Sequence, residues 1–277
     1  MSDEKLLNIA IESAKKAGVE VMKYYRDQSF TAEVKADDSP VTCADLAAND
    51  ILMDQLQTLT PDIPIISEEV GTVPLDKRKN WDKYWLLDPI DGTGEFIIGS
   101  GDFAVNIALI EKGWPSIGVI HAPDHQLTYY AQQKLGSFKE FSLKNKSSKQ
   151  IHVADYQGSR RIKVAISRRQ KIELMGQYLN NDFDFDHVAL GSCSLKNCLI
   201  AEGGADCYLR IGVTGEWDTG ASQCILEQAG GTIIDSEFNP LSYNKRESLL
   251  NPDFLSLGNQ DIPWQKIIKA HRKVYSE

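Results

Sequence analysis

The first residues place apolar side chains at Leu7, Ile11, Ala14, Val21 and Tyr25. That spacing returns to one face every three or four positions and predicts a helix of several turns. Ser2 is placed to cap it, with Asp3 and Glu4 in its first turn. Phe30 to Lys35 reads as extended, Asp38-Ser39-Pro40 breaks the chain, and Leu46 to Leu59 returns to helical spacing. Pro64 to Ser67 is a short apolar strand candidate that ends in Glu68-Glu69.

From Tyr84 to His152 the rhythm changes to short β-prone runs, YWLLD, FAVNIALIEKG, PSIGVIHA, LTYYAQ and SFKEFS, punctuated by Gly- and Pro-containing turns. Such runs predict a largely antiparallel sheet. After the polar stretch Lys144 to Gln150, the strand candidates IKVAIS, HVALG, DCYLRI and GTIID alternate with helical candidates around Ile172 to Leu179, Leu195 to Glu202 and Thr219 to Gln228. The second half therefore reads as an α/β layer. The expectation is an α+β N-terminal part, residues 1–157, and an α/β C-terminal part, residues 158–277, sharing one active site in one compact unit.

Composition narrows the function classes. With 277 residues, 42% hydrophobic and 25% charged, the chain excludes disordered, collagen-like and coiled-coil classes. No apolar run approaches the roughly 18 residues of a membrane span, and the first residues lack the basic start and continuous apolar stretch of a signal peptide. A cytoplasmic protein without an integral membrane segment is expected. The net charge of -9 argues against a nucleic-acid polymer as partner. Five cysteines, Cys43, Cys193, Cys198, Cys207 and Cys224, include no CxxC pair and signal neither a disulfide framework nor a zinc site.

The chemistry concentrates in WLLDPIDGT, Trp85 to Thr93. An apolar strand delivers Asp88 at its end, Pro89 enforces an extended approach, and Asp91-Gly92 turns the chain so that two carboxylates can face one point. Hard cations such as Mg²⁺ take such oxygens, a backbone carbonyl like that of Ile90 included. A plain Asp-Gly turn would leave the same trace. Glu68-Glu69 at a strand end and Asp218 before a helix can likewise be read alone as a solvated pair and an N-cap. Taken together, in a chain with no His/Cys ligand cluster, the three segments point to a magnesium site.

These segments, with DSPVTCAD from Asp38 to Asp45, Trp217 to Ala221 and Ala229-Gly230-Gly231, resemble the inositol monophosphatase-like family of Mg²⁺-dependent, lithium-sensitive phosphatases. The resemblance spans nearly the whole chain and implies that family's layered αβαβα sugar-phosphatase-like fold. The run Ser194 to Leu199, Ala201-Glu202-Gly203, Tyr208-Leu209-Arg210, Arg246-Glu247-Ser248 and Leu250-Asn251-Pro252 is similar to its 3'(2'),5'-bisphosphate nucleotidase branch. Gly94 and Cys193 depart from that branch, which commonly has Lys and Ser there.

The resemblance implies that Glu68, Asp88 and the Ile90 carbonyl hold one Mg²⁺ and that Asp88, Asp91 and Asp218 hold a second. A third, weaker ion near Glu68 is described for relatives. Glu68, Asp45 and Thr93 would be catalytic, with Thr93 and Asp45 orienting and deprotonating the attacking water. Substrate would meet Glu68, Ile90, Asp91, Gly92, Thr93, Cys193, Lys196, Arg210 and Asp218, with Lys196 and Arg210 holding a 5'-phosphate. The expected partner is a small nucleotide bisphosphate, 3'-phosphoadenosine 5'-phosphate above all, in sulfur assimilation. An inositol monophosphatase and a catalytically silent metal or nucleotide sensor are the alternatives. Relatives are described at the cytoplasmic face of the inner membrane, although no basic amphipathic segment here explains such attachment.

Three features are set aside. Asp182, Asp184 and Asp186 imitate the opening of an EF-hand loop, but His187 takes the required glycine position, and alternation with Phe183 and Phe185 leads into a strand. The five histidines form no metal pair and read as structural or surface residues. Gly99-Ser100-Gly101 reads as a loop, and Ser167-Arg168-Arg169 either contributes cations to the site or starts a helix with two exposed arginines.

Overall fold

The computed structural model describes residues 1–27, 30–34, 40–71, 73–141, 147–168 and 175–269. Its N-terminal amphipathic run is a helix, Asp3–Asp27, and the second helical run is Cys43–Leu59. The second helix starts where it does because Thr42 caps it. The Thr42 hydroxyl accepts the Ala44 N–H, and Asp45 accepts both the Thr42 N–H, at 2.8 Å, and the Thr42 hydroxyl, at 2.6 Å. Ala32–Val34 (β1) and Pro40–Thr42 (β2) pair antiparallel just before it. The extended Phe30–Lys35 run is thus a three-residue strand, and Lys35, Asp38 and Ser39 lie outside the described residues.

Seven strands follow in one sheet, in chain order: Ile65–Ser67 (β3), Lys83–Asp91 (β4), Ala104–Glu111 (β5), Trp114–Ala122 (β6), Leu127–Gln132 (β7), Gly136–Phe141 (β8) and Ser148–Ile151 (β9). β3 and β4 run parallel and every later pair is antiparallel. Period-two alternation divides the side chains. Trp85, Leu87, Ile107, Leu109, Ile117 and Val119 pack with the two N-terminal helices, whereas Tyr84, Leu86, Ala108, Ile110 and Ile120 pack on the opposite face. β9 falls in the stretch read as merely polar, because an edge strand with three exposed residues carries no apolar signature.

The second sheet is mixed, in the order β11-β10-β12-β14-β13: Arg161–Ile166 (β10), Asp184–Ala189 (β11), Cys207–Arg210 (β12), Thr232–Asp235 (β13) and Phe254–Leu257 (β14). β10 is parallel to both neighbours and β14 antiparallel to both of its own. Helices Cys193–Ala201 and Glu216–Gln228 lie between the sheets. Their Cys198, Ile200, Ile225 and Leu226 join Leu86 and Ile110 of the large sheet to Tyr208, Ile233 and Phe254 of the small one. The far face of the small sheet, including Val164, Leu209 and Leu257, is covered by Met175, Leu179 and the short helix Trp264–Ile267. Helix, sheet, helix, sheet and helix are therefore stacked, which is the five-layer α+β architecture expected. Residues 172–174 of the helix expected at Ile172 to Leu179 lie outside the described residues.

One close contact sets the depth of the central layer. A Cβ at Gly118 on β6 would come within 2.2 Å of the Ala221 carbonyl oxygen, so the Glu216–Gln228 helix rests on strand backbone with no side chain between. No helix among the described residues is long and apolar enough to cross a membrane.

Candidate active site

The carboxylates meet where three elements end. β4 brings Asp88 and Asp91, with a register shift against β5 between them at Pro89-Ile90. The Glu216–Gln228 helix brings Asp218 in its first turn, where the carboxylate accepts the Gly215 N–H at 2.6 Å. One carboxylate oxygen each from Asp88, Asp91 and Asp218 lies within 4.8 Å of the others. Glu68 follows β3, its N–H donating to Leu87 O at 3.1 Å, and borders an adjoining cavity of about 350 Å³ shared with Trp217.

Burial and like charge act together here. Asp88 is 1% exposed, and neither of its carboxylate oxygens has a hydrogen-bond donor. It faces the Glu68 carboxylate, another acceptor, with which it can only share a proton. Burial first, then the charges of Glu68, Asp91 and Asp218, hold the Asp88 carboxyl well above the usual carboxylate range. Asp218 is raised for the same reasons, by burial and then by Asp91 and Glu68, with the Gly215 N–H and Arg210 opposing. A hard cation resolves this conflict, and the all-oxygen donor set with bare Asp88 oxygens fits Mg²⁺.

Asp91 is the contrasting case. It accepts the Ser192 hydroxyl at 2.5 Å, the Ser194 N–H at 2.6 Å and the Cys193 N–H at 3.2 Å, at the N-terminus of the Cys193–Ala201 helix. Ser192 has φ +51°, a backbone conformation that costs a non-glycine residue about 1–3 kcal/mol. Its hydroxyl offsets part of that by accepting the Leu195 N–H at 3.1 Å as it donates to Asp91.

Gly92, at φ +94°, turns the chain from β4 into the short helix Thr93–Ile97, and a Cβ there would meet Asp102 O at 3.1 Å. The turn sets the Thr93 hydroxyl between Asp45 Oδ1, 3.1 Å away, and the Ile90 carbonyl oxygen, 3.2 Å away. Burial raises the Asp45 carboxyl, the Thr42 hydrogen bonds lower it, and Glu69 raises it further. Asp45 is thus both the cap of one helix and the acceptor for Thr93.

Asp91, Gly92, Cys193, Lys196, Arg210 and Asp218 line one cavity of about 370 Å³, together with Gly94, Glu95, Ser167, Ser192, Tyr208 and Thr214. That volume suits a small organic ligand. Arg210 ends β12 and lines the same cavity as Asp91 and Asp218. Its Nη2 donates to Val213 O at 2.9 Å, and its buried Nε has no acceptor. Lys196 is placed otherwise than expected. It is 2% exposed, with Nζ turned onto the carbonyl oxygens of Leu190 and Gly191, each at 3.3 Å, and of Ser192, and lying 5.0 Å from the Tyr208 ring centroid. All three ammonium protons are committed to carbonyls, and burial lowers its pKa. Toward a ligand, Lys196 can act as a buried charge and a strut for the 190–192 loop, not as a hydrogen-bond donor.

Asp102 and Ser192 escaped the sequence reading. Asp102 is buried and accepts the Gly191 N–H at 2.9 Å, while pairing with Arg168 and, at 2.9 Å, with His125 Nε2. Arg168 also reaches Glu95 at 3.6 Å, so its role is to tie the two halves together. Arg169 lies outside the described residues. Ser192 was legible only as the residue before Cys193. Asp184 and Asp186 lie on β11, Asp186 paired with Arg161 at 3.8 Å, apart from the acidic cluster.

The profile of the inositol monophosphatase family matches residues 2–272, and the chain belongs to that family. It is 41% identical over 266 residues to 3'(2'),5'-bisphosphate nucleotidase CysQ of Aggregatibacter actinomycetemcomitans, covering 96% of this chain and 97% of that one. Against the protein of the same name from Escherichia coli K12 the identity is 42% over 251 residues, covering 90% and 98%. Among solved structures, CysQ from Bacteroides thetaiotaomicron, a bacterial member of the inositol monophosphatase family, superposes with a TM-score of 0.78 at 32% identity, covering 94% and 99%.

Proposed function

We propose that the protein is a Mg²⁺-dependent 3'(2'),5'-bisphosphate nucleotidase that hydrolyses 3'-phosphoadenosine 5'-phosphate to AMP and phosphate. The observation that carries this reading is one cavity lined both by Asp91 and Asp218 of the acidic cluster and by the Arg210 guanidinium. A molecule with two phosphates, one reacting and one held by a cation, matches that lining. The near-full-length identity to relatives named as bisphosphate nucleotidases supports the same substrate class.

Glu68, Asp88, Asp91, Asp218 and the Ile90 carbonyl would hold two Mg²⁺ ions. When bound, Mg²⁺ would neutralise the reacting phosphate, acidify the attacking water and stabilise the departing ribose oxygen. The chain's own residues supply orientation and proton movement. Thr93 Oγ1, fixed by Asp45 and Ile90, accepts a proton from the water as its own proton passes to Asp45 Oδ1. Burial raises the Asp45 carboxyl and so favours its taking up that proton. Gly92 lines the cavity, and the Gly92 and Thr93 N–H groups would bind phosphate oxygens there. Arg210 grips the 5'-phosphate, with its unpartnered Nε and its Nη groups as a fork. Lys196 and Cys193 line the same cavity, Lys196 contributing by charge alone.

Phosphate release from 3'-phosphoadenosine 5'-phosphate, inositol 1-phosphate and fructose 1,6-bisphosphate, with and without Mg²⁺, tests the reading. Preference for the first, with Mg²⁺ required, is expected. Preference for inositol 1-phosphate would overturn the substrate assignment, and full turnover after exhaustive chelation would overturn the metal mechanism.

A further inference from the structure

The segment around Arg246-Glu247-Ser248 and Leu250-Asn251 has no part in the chemistry above, yet it ties the first turn of the Asp218 helix to the short helix that leads into β4. Arg78 ends the short helix Leu75–Arg78, just ahead of β4, and is fully buried. Its guanidinium donates from Nε to Val73 O at 2.7 Å, from Nη1 to Asn244 Oδ1 at 2.6 Å, and from Nη2 to Arg246 O at 2.7 Å and Glu247 O at 2.6 Å. Asn244 Nδ2 returns a bond to Arg78 O at 2.6 Å.

The same segment grips the start of the Glu216–Gln228 helix. The Asn244 N–H donates to Glu216 Oε2 at 3.0 Å, and Arg246 Nη2 donates to Glu216 Oε1 at 3.3 Å. The Glu216 side chain is fully buried. Its N–H donates to Leu249 O at 2.8 Å, and Asn251 Nδ2 donates to Gly215 O at 2.6 Å and to Thr219 Oγ1 at 3.1 Å. The contacts on the Glu216 carboxylate thus lead back, through Asn244 and Arg246, to Arg78 at the approach to β4.

Such a brace answers a physical need. Asp88 and Asp91 ride on β4, Asp218 rides on the helix, and mutual repulsion drives the two elements apart. A helix start free to shift would relieve that repulsion by moving Asp218 away. We propose that Arg78, acting through Asn244, Arg246 and Glu216, is the positioning residue that holds Asp218 against Asp88 and Asp91, preorganising strand-borne and helix-borne carboxylates for one cation. The proposal rests on the metal reading of the acidic cluster.

The test is calorimetric titration of Mg²⁺ into the wild-type protein and its Arg78→Met, Asn244→Gly and Arg246→Met variants, with Tm measured in chelator alongside. Glycine at position 244 keeps the φ of +58° available, so only the side-chain link is lost. Arg78→Met and Asn244→Gly are expected to weaken Mg²⁺ binding about tenfold or more, as removal of a supporting contact to a metal ligand does. Arg246→Met, which removes one 3.3 Å contact, should have a smaller effect. kcat should fall with little change in KM for the bisphosphate, and Arg78→Met should add nothing to the loss of Mg²⁺ affinity in Asp218→Asn. A lowered Tm with wild-type Mg²⁺ affinity in the folded protein would overturn the proposal. If Arg78→Met fails to fold, the other two variants decide it by the same criterion. A wild-type protein that binds no Mg²⁺ would instead sink the metal reading itself, and this proposal with it.

Discussion

The carboxylates and the arginine that line the 370 Å³ cavity are held to different standards. Around the carboxylates, position comes from backbone: a strand end, the first turns of two helices, a glycine turn at Gly92 and a helix seated directly on Gly118. Arg210, by contrast, is the last residue of a four-residue strand, half-buried, with its Nη2 bonded across a loop to Val213 O. Chemistry tolerates small errors of geometry poorly, whereas binding of a remote phosphate tolerates movement of a long side chain. The difference teaches that substrate range can vary in this scaffold without disturbing the reaction.

The largest effects should follow from the rigid carboxylates. Asp88→Asn and Asp91→Asn should each reduce phosphate release by several orders of magnitude on every substrate, as measured by initial rates at saturating Mg²⁺. Thr93→Ala, which removes the hydroxyl bonded to Asp45, should cost about 10²- to 10⁴-fold in kcat. If Thr93→Ala retained wild-type kcat, the proton route would be wrong. Li⁺ should inhibit, as the family resemblance implies.

Next comes the contrast between the two. Arg210→Ala should cost about ten- to a hundredfold in kcat/KM for the bisphosphate, equivalent to about 1.5–3 kcal/mol, and should scarcely affect adenosine 3'-monophosphate. Lys196→Ala should damage both substrates alike, because it releases the carbonyls that set the loop bearing Ser192. A Lys196→Ala defect confined to the bisphosphate would place Lys196 with Arg210 as a phosphate contact.

A pH effect on stability belongs to neither. His121 is buried against Gly18 of the first helix, and burial, then the Lys15 charge, lower its pKa from 6.5 to about 4. The native chain holds it neutral while the unfolded chain protonates it. Its stabilisation is therefore complete above about pH 6.5 and is lost as pH falls toward 4, by at most about 3 kcal/mol. Denaturant unfolding of wild type and His121→Gln between pH 7 and 4 should show a shallower acid decline in the variant; parallel curves would dismiss the assignment. The smallest effect should be that of Asp184→Asn, which should leave turnover and Mg²⁺ binding nearly unchanged. A loss as large as that of Asp91→Asn would mean that the wrong acidic cluster had been chosen.

Much of this was legible because periodicity and carboxylates at element ends are local signals. The strands from Tyr84 onward and the helices at Leu46, Leu195 and Thr219 show their spacing within a few residues. Phe254–Leu257 did not, since four residues behind Asn251-Pro252-Asp253 carry too short an alternation, and its place beside two strands is set by distant partners. At the site, Asp88, Asp91, Asp218, Asp45 and Thr93 announced themselves by turn and cap chemistry. Lys196 was legible as a cation but not in its direction, because the carbonyls that hold it lie on a loop whose path depends on Asp102, far away in sequence. Arg78 gave no signal, since a lone arginine among Lys77 and Lys79 reads as solvated surface.

The bare oxygens of Asp88 also set the terms on which the protein trades durability for activity. A buried carboxylate without donors, facing others of its kind, is a standing local conflict that the rest of the fold must outweigh. Asp88→Asn should therefore raise Tm in chelator even as it abolishes turnover, the reverse of what most buried substitutions do. In the wild-type chain the conflict would be relieved from outside: a cation that binds only the folded form adds about 2.7 kcal/mol at a hundred times its dissociation constant. Free magnesium should thereby set how long the protein lasts as well as how fast it works.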